Sequence, residues 1–384
     1  MTKQIYQIYN SYSRLHEEEI NKLLQKDDSS RIEAMKQILS FELNNQNELD
    51  IMMNIIRYIL PSNNHEIKRL FLLYLSSIKR VDENGKLLPE LILVINGLLQ
   101  DLNHPNEYIR MLTLKFIMNV KEKEFIQPLA NSVVMSYESN SSIVRKHCYS
   151  AICHIYKLYP ELIPNAKEII KKIMIKEKNK ANKCSALRAM MYIDLQATIN
   201  YIIKKSEQIQ TYDENFQMEI LKLIKSVHKS TPENYSKYIT ICMNLIENPN
   251  MKISLEASNC MLSISSSNTI VKVAIKNLID IIVKTSDINV KIIVLQKIEE
   301  QINKTPKIMK ESEIELLRLF QTNSIYIKKK VIDIIMECIT NKTVKEVIMM
   351  MKKEIEKEEN EEYQNKIIEK MREINEKYTH EIII

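Results

Sequence analysis

One short pattern returns along the whole of this 384-residue chain: a polar stretch, an apolar residue, a polar and mostly basic one, then an apolar stripe at helical spacing. Ile32-Glu33, Ile67-Lys68, Ile109-Arg110, Val144-Arg145, Asn182-Lys183, Phe216-Gln217, Met251-Lys252, Val290-Lys291 and Ile327-Lys328 mark it, at steps of 34 to 42 residues. Asn182 and Phe216 fit the pattern worst. A period of that length suits a pair of helices of the HEAT or armadillo kind and is too long for a leucine-rich unit. Such a unit buries its apolar face only against the next one. The pattern therefore predicts an all-α chain, a HEAT/armadillo-like α-solenoid of two-helix repeats in a right-handed superhelix, with Ile109, Val144, Val290 and Ile327 buried between repeats.

Helix starts agree with this frame. Asp101-Leu-Asn-His-Pro105 places a turn and a proline before a helix over 106–120, and Glu247-Asn-Pro-Asn250 does the same before 251–264. The charged stretch 352–377 keeps Ile355, Tyr363, Ile367, Ile368, Met371 and Ile374, which reads as a closing helical hairpin. No domain boundary is visible. The ending His380-Glu-Ile-Ile-Ile384 has no cap and reads as a cut through a longer chain.

Composition removes whole function classes. Two glycines, Gly85 and Gly97, stand alone, so no phosphate loop, dinucleotide fingerprint or kinase glycine loop can be assembled. The net charge of +6 is spread over 55 basic and 49 acidic residues, which reads first as a mixed solvated surface, with nucleic-acid binding the lesser reading. The most apolar run, 87–99, is cut by Pro89, Glu90 and Asn96 and does not span a membrane. The first 19 residues hold no signal peptide. Six scattered cysteines in apolar contexts read as free buried thiols of a reducing compartment, which places the chain in the cytoplasm.

Nothing in the spacing argues for an enzyme. His147 and His154 sit two helical turns apart with Cys148 and Cys153 off that face, so the four cannot meet one zinc ion, and core packing is the better reading. His16 beside Glu17, Glu18 and Glu19 reads as a solvated helix start. We expect no catalytic residue, no metal and no cofactor. The basic residues at helix starts, Lys68, Arg69, Arg110, Arg145, Lys146, Lys328, Lys329 and Lys330, read first as a ladder with acidic partners on adjacent repeats. The competing reading is a basic edge facing acidic lipid headgroups or an acidic protein. Met349, Met350 and Met351 read as core and near-core packing of one helix.

Six separate segments carry a more specific signal. Ile56-Arg-Tyr-Ile-Leu-Pro61, His65-Glu-Ile-Lys-Arg-Leu70, Asn84-Gly-Lys-Leu-Leu88, the run 101–110, Leu162-Ile-Pro-Asn-Ala166 and the run 286–295 resemble, in order, the beta-subunit family of the COPI coatomer. The resemblance covers 15–384 as one adaptin-like trunk, a fragment of a longer chain; residues 1–14 and 352–377 depart most. It implies a non-enzymatic coat scaffold on Golgi-derived vesicles in retrograde transport to the endoplasmic reticulum, peripheral on the Golgi membrane. It also implies partnership with the delta, gamma and zeta coatomer subunits, the delta N-terminal domain on the concave side, and recruitment by a GTP-bound Arf-family GTPase. The alternative is a karyopherin-like or nucleic-acid-binding HEAT scaffold, although a karyopherin would be expected to be strongly acidic.

The resemblance further implies a GTPase site on the helix just before the turn at Asp101. Two apolar residues three apart, Ile92 and Ile95, followed by Asn96, match the family's positions. In this reading Leu91, Val94 and Leu98 cover the core, Ile92, Ile95 and Leu99 form a second apolar strip near the surface, and Lys68 and Lys86 are rim charges.

Overall fold

In a computed structural model of the chain, residues 17–43, 51–305, 316–321 and 324–378 are described. The expectations for residues 1–14, for His16 and for the ending at 380–384 lie outside them. The described residues are helical throughout, joined by short turns and 3-10 segments, with a single isolated bridge between Val81 and Leu87 and no strand among them. The all-α reading holds.

The helices alternate between two layers because each repeat begins its second helix with the same local chemistry. Asn64, Asn106, Asn179, Asp213, Asn250, Asp287 and Asn360 each sit in extended backbone and accept a hydrogen bond from an N–H two or three residues on. An asparagine or aspartate side chain can satisfy one of the four orphan N–H groups at a helix start, which fixes where the helix begins. Three residues past the cap comes a residue facing the core: Ile67, Ile109, Asn182, Phe216, Ile253 and Tyr363 are buried there. Val144 and Ile327 hold the same place behind Ser141 and Ser324. Val290 departs from expectation. It is only half-buried, packed at the margin of the core, and the frame at Met251 is two residues early, since Asn250 caps and Ile253 takes the core position.

Four residues past the cap, a polar side chain folds back onto the C-terminal carbonyls of the preceding helix. Lys68 Nζ donates to the Leu60 carbonyl at 2.6 Å, Gln217 Nε2 to those of Ile209 and Gln210 at 3.1 and 3.0 Å, Ser254 Oγ to Ile246 at 2.8 Å and Gln364 Nε2 to Ile355 at 3.1 Å. Arg31 Nε reaches the Leu24 carbonyl at 3.1 Å in the same way. The last carbonyls of a helix have no partner within it. One side chain thus closes one helix while the next begins, and holds the two at a fixed turn.

The chain divides into two compact units, 1–200 and 201–384. In the first, helices Asp28–Leu43, His65–Ser77, Glu107–Ile117, Ser142–Leu158 and Lys180–Ile193 stack in one layer. Helices Met52–Ile59, Leu91–Leu102, the broken pair Lys123–Ile126 and Ala130–Met135, and Ala166–Lys176 alternate with them along the chain, and Leu91–Leu102 packs on both members of the broken pair. In the second unit, Glu214–Val227 packs on Met251–Ile264, Ile288–Lys304 on Ile325–Cys338, and the last of these on Glu361–Lys377. The 352–377 stretch is the expected hairpin: Asn360 caps its second helix, and Tyr363, Ile367 and Ile374 are buried. Of the three consecutive methionines, Met351 is buried while Met349 faces solvent, because only one side of that helix meets the core.

Candidate functional site

Helix Leu91–Leu102 is entered through a tight turn. Asp82 Oδ1 accepts the N–H groups of Asn84 and Lys86 at 2.9 and 2.8 Å, and Gly85, at φ +76°, takes the left-handed conformation that side chains disfavour. Arg80 anchors the turn through the Leu75 carbonyl at 2.9 Å and Glu122 at 3.1 Å. Lys86 is thereby held in solvent.

The helix buries Leu91, Val94, Ile95, Leu98 and Leu102, a stripe at spacings of three and four. Ile95 is 6% exposed and belongs to the core. It is not part of a surface strip, because a helix seated between neighbours on both flanks covers a broader arc than Leu91, Val94 and Leu98 alone. Ile92 is 59% and Leu93 48% exposed; with exposed Asn96 and half-buried Leu99 they form the outward side. Leu93 has no place in the strip expected from the sequence, although its position outside the 91-94-95-98-102 stripe is readable from spacing alone. Gly97 faces Leu60, whose side chain lies 2.4 Å from where a Cβ would stand, so a glycine lets the two helices approach.

Lys68 is no rim charge. It is 3% exposed, and its ammonium donates to both oxygens of the buried Asp101 at 2.7 and 2.8 Å as well as to Leu60. Burial raises the Asp101 carboxyl above the usual carboxylate range, against the pull of the Lys68 hydrogen bonds. The same arrangement recurs at other helix starts. Lys328 pairs with Glu354 at 3.0 Å and Glu358 at 2.5 Å; the carbonyl-capping Gln217 accepts from Asn248 at 3.0 Å. The ladder between repeats therefore holds for Lys68, Arg145, Lys328 and Lys329, with Lys68 and Lys328 buried, while Arg69 and Lys146 stand exposed.

Its densest rung is at Arg145. Glu177, almost fully buried, accepts from Arg145 Nε at 2.9 Å and Nη2 at 3.1 Å, from the Tyr149 hydroxyl at 2.6 Å, from the Asn179 N–H at 2.9 Å and from Asn182 Nδ2 at 3.3 Å. Burial alone would raise this carboxyl, but the donors from Arg145 and Tyr149, with those of Asn179 and Asn182, hold it down at about 2. A cavity of about 400 Å³ opens beside it, lined by Tyr137, Ser139, Lys176 and Lys178 among others. The neighbouring His/Cys group is structural: Cys148 is buried with its thiol 3.1 Å from the Val133 carbonyl, His147 meets the Ile143 carbonyl at 2.9 Å and His154 that of Val120 at 2.7 Å. Among the described residues no three His, Cys, Asp or Glu side chains are grouped to hold a metal, and no helix is long and apolar enough to cross a membrane.

Stacked two-helix repeats with their polar side chains spent on holding neighbouring helices define a HEAT/armadillo-like scaffold, whose candidate site is a surface. The adaptin N terminal region matches residues 12–382, and the chain belongs to that family. It is 34% identical over 360 residues to coatomer subunit beta-2 of Arabidopsis thaliana, covering 91% of this chain and 38% of the relative. It is 30% identical over 343 residues to coatomer subunit beta of Rattus norvegicus, covering 88% and 36%. The chain thus spans little more than a third of the length of these relatives. In structure it is similar to a chain in a homology model of the full-length AP-3 complex in an intermediate open conformation, with a TM-score of 0.68 at 16% identity over 85% of this chain and 57% of that one. A Kap95:Nup1 complex matches at a TM-score of 0.57 and 12% identity over 95% of this chain and 51% of that one. At those identities the likeness is one of fold.

Proposed function

We propose that the chain is a coat scaffold of the coatomer beta kind. In this reading it is a non-catalytic, peripheral component of the COPI coat on Golgi-derived vesicles in Golgi-to-ER transport, assembling with delta, gamma and zeta subunits and recruited by a GTP-bound Arf-family GTPase. The observation that carries it is the family match over 12–382 together with about one-third identity to coatomer beta subunits along nine-tenths of the chain. The GTPase contact falls on the outward side of helix Leu91–Leu102: Ile92 and Leu93, with Asn96 and the edge of Leu99, and Lys86 as the nearby exposed cation. Two large apolar side chains held in water on a rigid helix are the kind of centre around which a partner excludes solvent. Ile95 and Lys68 serve this site by seating the helix.

The test is capture of the chain on GTP-locked and GDP-locked forms of an Arf-family GTPase. Binding to the GTP-locked form alone is expected, reduced at least tenfold by Ile92→Asp with Leu93→Asp at unchanged melting temperature, whereas Ile95→Asp unfolds the helix. Equal capture on both nucleotide forms, or full binding by the Ile92/Leu93 variant, would overturn the site.

A further inference from the structure

Most of the chain's excess positive charge is concentrated in one place. Residues 167–183 hold seven lysines, Lys167, Lys171, Lys172, Lys176, Lys178, Lys180 and Lys183, against Glu168 and Glu177, a net charge of +5 where the whole chain carries +6. The structure sharpens the contrast. Glu177 is buried and occupied by Arg145, so it contributes little to the field outside. Helix Ala166–Lys176 turns Ala166, Ile170, Ile173 and Met174 inward. Its other side carries Glu168, Lys171, Lys172 and Ile175, at spacings of three and four, with Lys176 and Lys178 beside them. Lys171 pairs with Asp194 at 2.9 Å; Lys172, Lys176 and Lys178 have no ion-pair partner among the described residues. In the midst of this cluster Ile175 is 81% exposed.

An isoleucine left in water among unpaired lysines is costly on an isolated protein and useful on one surface. Anionic headgroups neutralise the ammonium groups while the apolar side chain enters the acyl boundary. A purely acidic, polar surface would match the charge but would leave Ile175 without an apolar contact. We propose that the outward side of helix Ala166–Lys176, with Lys178, docks on the surface of an anionic lipid bilayer. The proposal rests on the peripheral-membrane reading above for its setting.

The experiment is sedimentation of the full chain, without any GTPase, with vesicles of phosphatidylcholine alone or with 30% phosphatidylserine (about the anionic content that gives an appreciable surface potential). Binding to the anionic vesicles alone is expected, released by raising the salt to about 0.5 M. Each lysine near such a surface is worth about fivefold, so Lys172→Glu, Lys176→Glu and Lys178→Glu together should lose at least about a hundredfold, the new carboxylates adding repulsion. Ile175→Asp should weaken binding several-fold, and arginine at the same three positions should retain it. All these side chains point into solvent or line an open cavity, so the variants should melt as the parent does. Undiminished binding by the triple glutamate variant, equal binding to neutral vesicles, or capture by immobilised polyglutamate without any binding to anionic vesicles would each overturn the proposal. Because no GTPase is present, this result is independent of whether the Ile92/Leu93 site holds.

Discussion

Replacing Glu177 by glutamine is the sharpest test of how the repeats are held together. The change keeps the shape of the side chain and removes one acceptor oxygen. Whichever way the amide settles, its NH2 faces donors: Arg145 Nη2 and the Asn179 N–H on one side, or Arg145 Nε, the Tyr149 hydroxyl and Asn182 Nδ2 on the other. The magnitude follows from the carboxyl itself. Lowering a glutamate from 4.5 to about 2 in the folded state is worth about 3 kcal/mol, at about 1.4 kcal/mol for each tenfold in proton affinity. Its near-complete burial leaves little solvent to screen that figure. Because the folded chain binds this proton less readily than the unfolded one, the stabilisation is complete at neutral pH and is lost as the pH falls below 4.5 toward 2. The variant never has it. Urea unfolding followed by helical circular dichroism should therefore separate the two proteins by about 3 kcal/mol at pH 7 and about 2 kcal/mol at pH 3.5. Hydrogen exchange should place the loss in helices Ser142–Leu158 and Lys180–Ile193. A gap below about 1 kcal/mol at pH 7, or one that stays constant or widens at pH 3.5, would refute the reasoning.

The buried pair behind helix Leu91–Leu102 should behave differently. Lys68→Met strands Asp101 in the core and should cost about 3 to 5 kcal/mol in urea unfolding, while Lys68→Met with Asp101→Leu should recover most of that, since an ion pair this dry gives back little beyond its own desolvation. A single substitution costing under about 1 kcal/mol would mean that water reaches the site. In the second unit, Ile327→Ala should cost about 2 to 4 kcal/mol and half-buried Val290→Ala clearly less, read from melting temperatures. Equal losses at the two positions would show that the repeat frame in the second unit is wrong.

The repeat was legible in the sequence because it is built from local chemistry. At most of the nine markers an Asn, Asp or Ser is followed three residues on by an apolar side chain and four on by a polar one, which specifies a helix start from within a single turn, and their steps of 34 to 42 residues require stacked helix pairs. At Met251 the frame is set by the cap, Asn250, which puts Ile253 and not Met251 in the core. The fate of the polar residue was not legible. Whether Lys68 stands in solvent or folds back depends on the Leu60 carbonyl eight residues earlier and on Asp101 thirty-three residues later, and a carboxylate that distant cannot be matched to its cation by spacing. Ile95 shows the same limit. Its helix offers apolar side chains all round, and only the neighbouring helices, by covering one arc and leaving Ile92 and Leu93 in water, decide which of them are core. Periodicity fixes the spacing of an apolar face along a helix; the flanks against which that face is pressed are set by chain segments a repeat away, and burial is settled only when they meet.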